Sequence, residues 1–248
     1  MNEWHYFCNT HLQIPLVMYR SVIGERDYAS VLGPSRTMRN RRSVVQRVLE
    51  RIWFWPRVVE ATRWADSTSE FGWKPESFLH EEPTPLLEKV IQFVDRHDSV
   101  LDLGCNSGSD LNILVRHGFT SLAGVDVGEK ALALFSEIYP STYVAVKVHH
   151  DLFQRFLLKS RDREFDVVFS NGATIELVHP SFPIVKEIAR VARKQVYLDL
   201  SETQGYPRDY VGQFRRSGFR LDNFERNSDV LKGSGVYIFT RTRTRTGN

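Results

Sequence analysis

The sequence predicts an α/β fold: a doubly wound, mostly parallel seven-stranded sheet ending in an antiparallel C-terminal hairpin, with a mainly helical N-terminal extension before it. Three observations carry that reading. From residue 99 onward, short apolar runs alternate with amphipathic ones, the pattern of a parallel sheet with helices on both faces. The first run leads into a turn bracketed by Gly104 and Gly108, and the second ends on an acid, Asp126. The last two runs are joined by a polar, glycine-containing loop with no helical segment between them, so they pair as a hairpin.

Taken in order, the extension comes first. Residues 1–35 have weak periodicity, and Gly33-Pro-Ser breaks the chain. Val44, Val45, Val48, Leu49 and Ile52 recur at helical spacing with arginines between them. Residues 64–85 are irregular and aromatic (Trp64, Phe71, Trp73 and Phe78). Such a loop is expensive to leave in water, so it packs down or closes over a ligand as a lid. Thr84 has the chemistry of an N-cap, with Pro85 at the first helical position. Leu86, Leu87, Val90, Ile91 and Val94 form one face of the helix that follows.

The alternation then predicts strands over 100–103, 122–126, 143–148, 165–170, 195–200, 219–226 and 235–241. Helices are expected over 107–116, 129–138, 153–159, 182–192 and 207–217. The division expected from this is 1–84 as the extension, with a share in the acceptor site, and 85–248 as the ligand-binding domain.

At 248 residues with 42% hydrophobic content, the chain can bury a full core. Its net charge of +3 does not by itself imply nucleic acid, although the arginines crowd between Arg36 and Arg57. There are two cysteines, Cys8 and Cys105. Cys105 lies inside the glycine turn, where a disulfide would disrupt the motif, which fits a reducing compartment. No signal peptide is visible, and no apolar run approaches the roughly 20 residues that span a bilayer. The expectation is a soluble, cytoplasmic protein, with peripheral membrane contact through 37–57 as a lesser option and the oligomeric state open.

The turn also narrows the ligand. A dinucleotide fingerprint needs glycine where this chain has Asn106 and Ser109. A side chain there argues against a pyrophosphate. It is not a P-loop either, because no Gly-Lys-Ser/Thr follows. An acid at the tip of the second strand is how a doubly wound sheet holds ribose hydroxyls.

Asp102-x-Gly104-x-Asn106-x-Gly108 resembles motif I of the class I, Rossmann-like S-adenosylmethionine-dependent methyltransferases. Gly124-Val-Asp126-Val resembles their second-strand acid, His150-Asp151-Leu152 the acid-bearing turn after the third strand, and Phe165-Asp-Val-Val-Phe-Ser-Asn171 the fourth strand. The resemblance covers roughly 86–241 and implies S-adenosylmethionine as cofactor. It implies that the turn of Gly104, Cys105, Asn106 and Gly108 lies along the methionine and ribose. Asp102 would orient that loop or meet the amino acid moiety. Asp126 would accept from both ribose hydroxyls, and Val127 and Leu152 would pack on adenine. Asp151 would accept from its amine, and Asn171 would sit near the methionine end.

Methyl transfer is a displacement at a sulfonium carbon, so most of the catalysis comes from in-line positioning in a dry site. A base matters only where the acceptor must lose a proton. After the fourth strand, His179 is the candidate base, with packing beside Pro180 as its alternative. Glu176 reads as a surface or cofactor-side residue. No metal is expected: His149 and His150 are adjacent on a strand and point to opposite faces. Asp199 and Glu202 border the acceptor side. The function expected is methyl transfer to oxygen or nitrogen of a small molecule or a glycan- or lipid-linked precursor. The alternatives are methylation of RNA or protein through arginines 36–57, and a non-catalytic partner-binding protein on the same fold.

Overall fold

The computed structural model describes residues 74–172, 175–178, 182–201, 208–226 and 234–242. The arginine-rich segment expected to be helical, most of the expected lid, Cys8, His179, Glu202 and residues 243–248 lie outside these residues.

A 3-10 turn (Pro75–Phe78) leads to α1 (Pro85–Phe93). Thr84 caps α1 as expected, its hydroxyl accepting from Leu87 N–H at 3.3 Å. Then follow β1 (Ser99–Leu103), α2 (Ser109–Arg116), β2 (Ser121–Asp126), α3 (Glu129–Ile138), α4 (Pro140–Ala145), β3 (Lys147–His150), α5 (Phe153–Lys159) and β4 (Phe165–Ser170). A second 3-10 turn (Ile175–Leu177), α6 (Ile184–Val191), β5 (Ala192–Ser201), α7 (Tyr210–Arg216), β6 (Phe219–Arg226) and β7 (Ser234–Arg241) complete the order.

The seven strands form one sheet in the order β3-β2-β1-β4-β5-β7-β6. β1 to β5 pair in parallel, and β7 runs antiparallel to both β5 and β6. The expected hairpin is present, with its second strand inserted between β5 and β6.

Strand side chains alternate between two cores. Val100, Val167, Phe169, Tyr197 and Ile238 face α1, α2 and α3. Leu101, Leu103, Val168, Leu198 and Phe239 face α5, α6 and α7. Burial on both faces explains why β1 and β4 read as nearly continuous apolar runs. Each such Leu or Phe contributes about 1.5–3 kcal/mol, so the central strands anchor the sheet.

Two expectations are corrected. The strand expected over 143–148 is the end of α4 followed by a four-residue β3. Pro140 starts a new helix at its first position, and Tyr143 turns edge-on to Phe135, with ring centroids 5.2 Å apart. The helix expected to reach residue 192 stops at Val191, and β5 begins at once. No described helix is long and apolar enough to cross a membrane.

Candidate functional site

The strand order reverses between β1 and β4, and open α/β sheets bind ligands in the crevice at such a point. The glycine turn after β1 is stapled to β2: Gly104 N–H and Cys105 N–H both donate to Val125 O, at 2.9 and 3.2 Å. Gly104 (φ 88) and Gly108 (φ 75) are left-handed, and so is Asn106 (φ 45). Asparagine enters this region more readily than most side chains, so Asn106 is a conformational stand-in for the glycine that the fingerprint places there.

Asp126 lies at the tip of β2 against the turn. Its Oδ2 accepts from Asn106 N–H at 2.9 Å, and its Oδ1 from Gly128 N–H at 2.7 Å. Burial pushes this carboxyl up, while those N–H groups pull it back only in part. The turn's N–H groups at 104, 105, 106 and 108 are all bonded within the protein. Buried and without a hydrogen-bond partner among the described residues are Asn106 Oδ1 and Ser107 Oγ, which suit a polar ligand. Asp102, 2% exposed, accepts no hydrogen bond from a described residue, and burial, then Asp110 and Asp126, hold it well above the usual range. A cationic group would restore its charge. These groups fit a hydroxyl-rich, amine-bearing cofactor.

Cys105 turns its thiol into the core. A Cβ on Gly124 would meet Leu111 Cδ1 at 2.7 Å and Cys105 Sγ at 2.9 Å. Burial pushes the thiol well up, so it is inert. Val127 O is 3.1 Å from His150 Nε2, which places the His150 ring on the wall expected to meet adenine. His149 instead packs at a tilt against Phe156, with centroids 4.8 Å apart. Asp151 is occupied: Leu152 N–H (2.8 Å) and Arg155 reach Oδ1, and Lys159 reaches Oδ2 at 3.2 Å. Desolvation raises Asp151, but these three donors outweigh it and hold the carboxylate below its ordinary range. A ligand amine there has to compete with them. Leu152 is the half-buried residue before α5.

Asn171, just past β4, is the centre of a network that the sequence did not reveal. Its Nδ2 donates to Thr84 Oγ1 at 3.0 Å and to Asp110 Oδ2 at 2.9 Å. His80 Nε2 is in ion-pair contact with Asp110 Oδ1 at 3.1 Å, and His80 N–H donates to Ser109 Oγ at 3.2 Å. Thr84 reads only as a cap in the sequence, and His80 and Asp110 belong to no motif. Asp199 lies on the same sheet face, one strand over, where burial and then Asp110 push its carboxyl up to about 6. Glu176, expected at the surface or by the cofactor, is 1% exposed, and Arg208 binds the carbonyls of the turn around it. His179 lies outside the described residues.

Residues 100–195 match a family described as a methyltransferase domain. No curated protein matches the chain at significance. Among solved structures, it is similar to a TehB-like S-adenosylmethionine-dependent methyltransferase from Corynebacterium glutamicum, with 16% identity over 63% of this chain and 87% of that one, and a TM-score of 0.53. It is also similar to magnesium protoporphyrin IX methyltransferase from Synechocystis PCC 6803, solved with bound S-adenosylmethionine. That match has 15% identity over 94% of this chain and all of the other (100%), with a TM-score of 0.53. The cyclase SpnF shares the fold at 12% identity over 63% and 79% of the two chains, with a TM-score of 0.53.

Proposed function

We propose that this chain, whose residues 100–195 match a methyltransferase domain, is a class I S-adenosylmethionine-dependent methyltransferase that transfers methyl to an oxygen or nitrogen of a small molecule or a glycan- or lipid-linked precursor. The observation that carries the cofactor site is Asp126, fixed at the tip of β2 by Asn106 N–H and Gly128 N–H. Each of its oxygens has a second lone pair to offer a ribose hydroxyl. Asp102 receives the cofactor's ammonium, and the turn of Gly104, Cys105, Asn106 and Gly108 follows its methionine and ribose. Val127, whose carbonyl meets His150 Nε2, and Leu152 pack against adenine. Asp151 takes the adenine amine in exchange for one of its basic partners, and Asn171 marks the methionine end.

When bound, the cofactor supplies an electrophilic methyl group on a good leaving group. The chain's own task is to hold the acceptor in line and exclude water. With the cofactor over β1 and β2, the acceptor side falls over β4 and β5, where Asn171 and Asp199 each follow the paired residues Ser170 and Leu198. His179 is the proposed base for a hydroxyl acceptor. The arginines between Arg36 and Arg57 favour a second reading, methylation of RNA or protein, because they suit an anionic backbone.

The test is calorimetry with S-adenosylhomocysteine, followed by labelled methyl transfer across small-molecule, glycan, RNA and protein acceptors. Asp126→Ala is expected to lose at least about tenfold in cofactor affinity, the equivalent of one charge-assisted hydrogen bond. Unchanged affinity removes the site assignment. His179→Gln is expected to slow transfer to a hydroxyl acceptor, and a normal rate removes His179 as the base.

A further inference from the structure

We propose that His80 and Asp110 are positioning residues: their ion pair holds the 78–84 arm and the Asn171 amide together across the β1–β4 crevice, and so governs how tightly the cofactor is retained. The proposal rests on the cofactor site proposed above.

Asp110 stands in the first turn of α2, which follows β1, and Asn171 follows β4. Their contact of 2.9 Å therefore spans the point where the strand order reverses. The second amide hydrogen of Asn171 reaches Thr84 Oγ1 at 3.0 Å. Because Asp110 is an acceptor, the amide must turn its nitrogen to it, and its carbonyl oxygen then faces the other way. Asp110 thus fixes how Asn171 is presented, and Thr84 and His80 bring the arm to the same point.

The protonation of His80 follows from its neighbours. Nδ1 lies 2.9 Å from Glu82 O, and Nε2 lies 3.1 Å from the Asp110 carboxylate. Both partners only accept. A neutral imidazole has one donor and one lone pair, so one of the two contacts would set lone pair against lone pair. The imidazolium donates to Glu82 O and sets its positive charge against Asp110 Oδ1 as an ion pair, and Asp110 raises His80 above its ordinary value against the lowering effect of burial.

The charges around the pair agree with this. On the arm, the Glu82 carbonyl accepts from His80. On α2, Arg116 points away, to Glu81 O at 3.5 Å. Behind Asp110 stand Asp102 and Asp199, each raised in part by the charge on Asp110. Tyr139 OH meets Ser109 Oγ at 3.4 Å, not the imidazole. Because the histidine is raised, the pair is present below its titration and is lost as pH rises through it.

Two measurements on the full chain test the pair. The first is NMR titration of the His80 ring with hydrogen exchange over 78–84, without ligand. Asp110→Asn is expected to lower the His80 midpoint by about one unit and speed exchange in the arm. The second is calorimetry with S-adenosylhomocysteine between about pH 6 and pH 9, a span that brackets a raised histidine. Wild-type affinity is expected to fall about tenfold more than that of His80→Arg, which keeps its cation and so subtracts the ligand's own titration. His80→Gln is expected to bind weakly throughout. Identical pH profiles for the three proteins, or a His80 midpoint indifferent to Asp110→Asn, overturn the proposal while leaving the cofactor site intact. Failure of wild type to bind at any pH overturns the cofactor site and this proposal with it.

Discussion

Asn106 holds a left-handed backbone that a β-branched side chain resists, so its two neighbours in chemical space separate cleanly. Asn106→Gly is expected to keep wild-type stability within about 0.5 kcal/mol, and Asn106→Val to lose about 1–2 kcal/mol, both read from urea midpoints. Gly108 and Gly124 are constrained by packing. A Cβ on Gly108 would lie 2.3 Å from the Phe135 ring, and one on Gly124 would lie 2.7 Å from Leu111. Alanine at either position is expected to cost about 1–3 kcal/mol, measured the same way. Asp199 gives a pH signature. Its raised carboxyl, about 6, binds a proton more readily folded than unfolded. Stability contributed at this residue therefore falls as pH rises from its ordinary range through 6. Asp199→Asn is expected to flatten that slope, seen as a smaller difference between urea midpoints on the two sides of the titration. Sequence spacing marks Asp102 and Asp126 because one stands two residues before Gly104 of the turn and the other ends the second apolar run. It cannot mark His80, whose role depends on a contact with a residue 30 positions away in the chain.

At the scale of elements, helix ends do much of the joining. Thr84 caps α1 and also accepts from Asn171, so Thr84→Ala is expected to cost about 1 kcal/mol as a lost cap, with loosening at Asn171 visible in its side-chain amide signal. Arg190, near the end of α6, donates to Leu157 O, Ser160 O and Asp162 and pairs with Glu187. It ties α6 to the end of α5 and to the lead-in of β4. The sequence shows α6 and β5 as adjacent patterns but not the boundary between them, because Ala192 suits both a helix and a strand. The same ambiguity hides α4: Tyr143, Val144, Val146 and Val148 have strand-like chemistry, and only Pro140 signals a new helix start. Local propensity gives way there to the packing of Tyr143 on Phe135.

At the scale of the whole molecule, the layered α/β architecture is readable because burial on both faces makes central strands apolar and the intervening helices amphipathic. Acceptor chemistry is not readable in the same way, because it depends on which side chains meet across the crevice. A ligand that binds only the folded chain stabilises it, so S-adenosylhomocysteine at about 100 times its Kd is expected to add about 2.7 kcal/mol to unfolding stability. A thermal shift that does not grow with ligand concentration would count against binding. The position of β7 between β5 and β6 has a consequence for synthesis. β6 leaves the ribosome before the strand it must pair with, since its described partner is the last strand in sequence. The half carrying the glycine turn and Asp126 can assemble early, while β6 waits with its edge unmet. Cutting the chain before residue 234 is therefore expected to strand β6 and expose one side of β5 at the same time, which raises aggregation, measured by light scattering against the uncut chain. The final few residues of the sheet close the open seam of everything made before them.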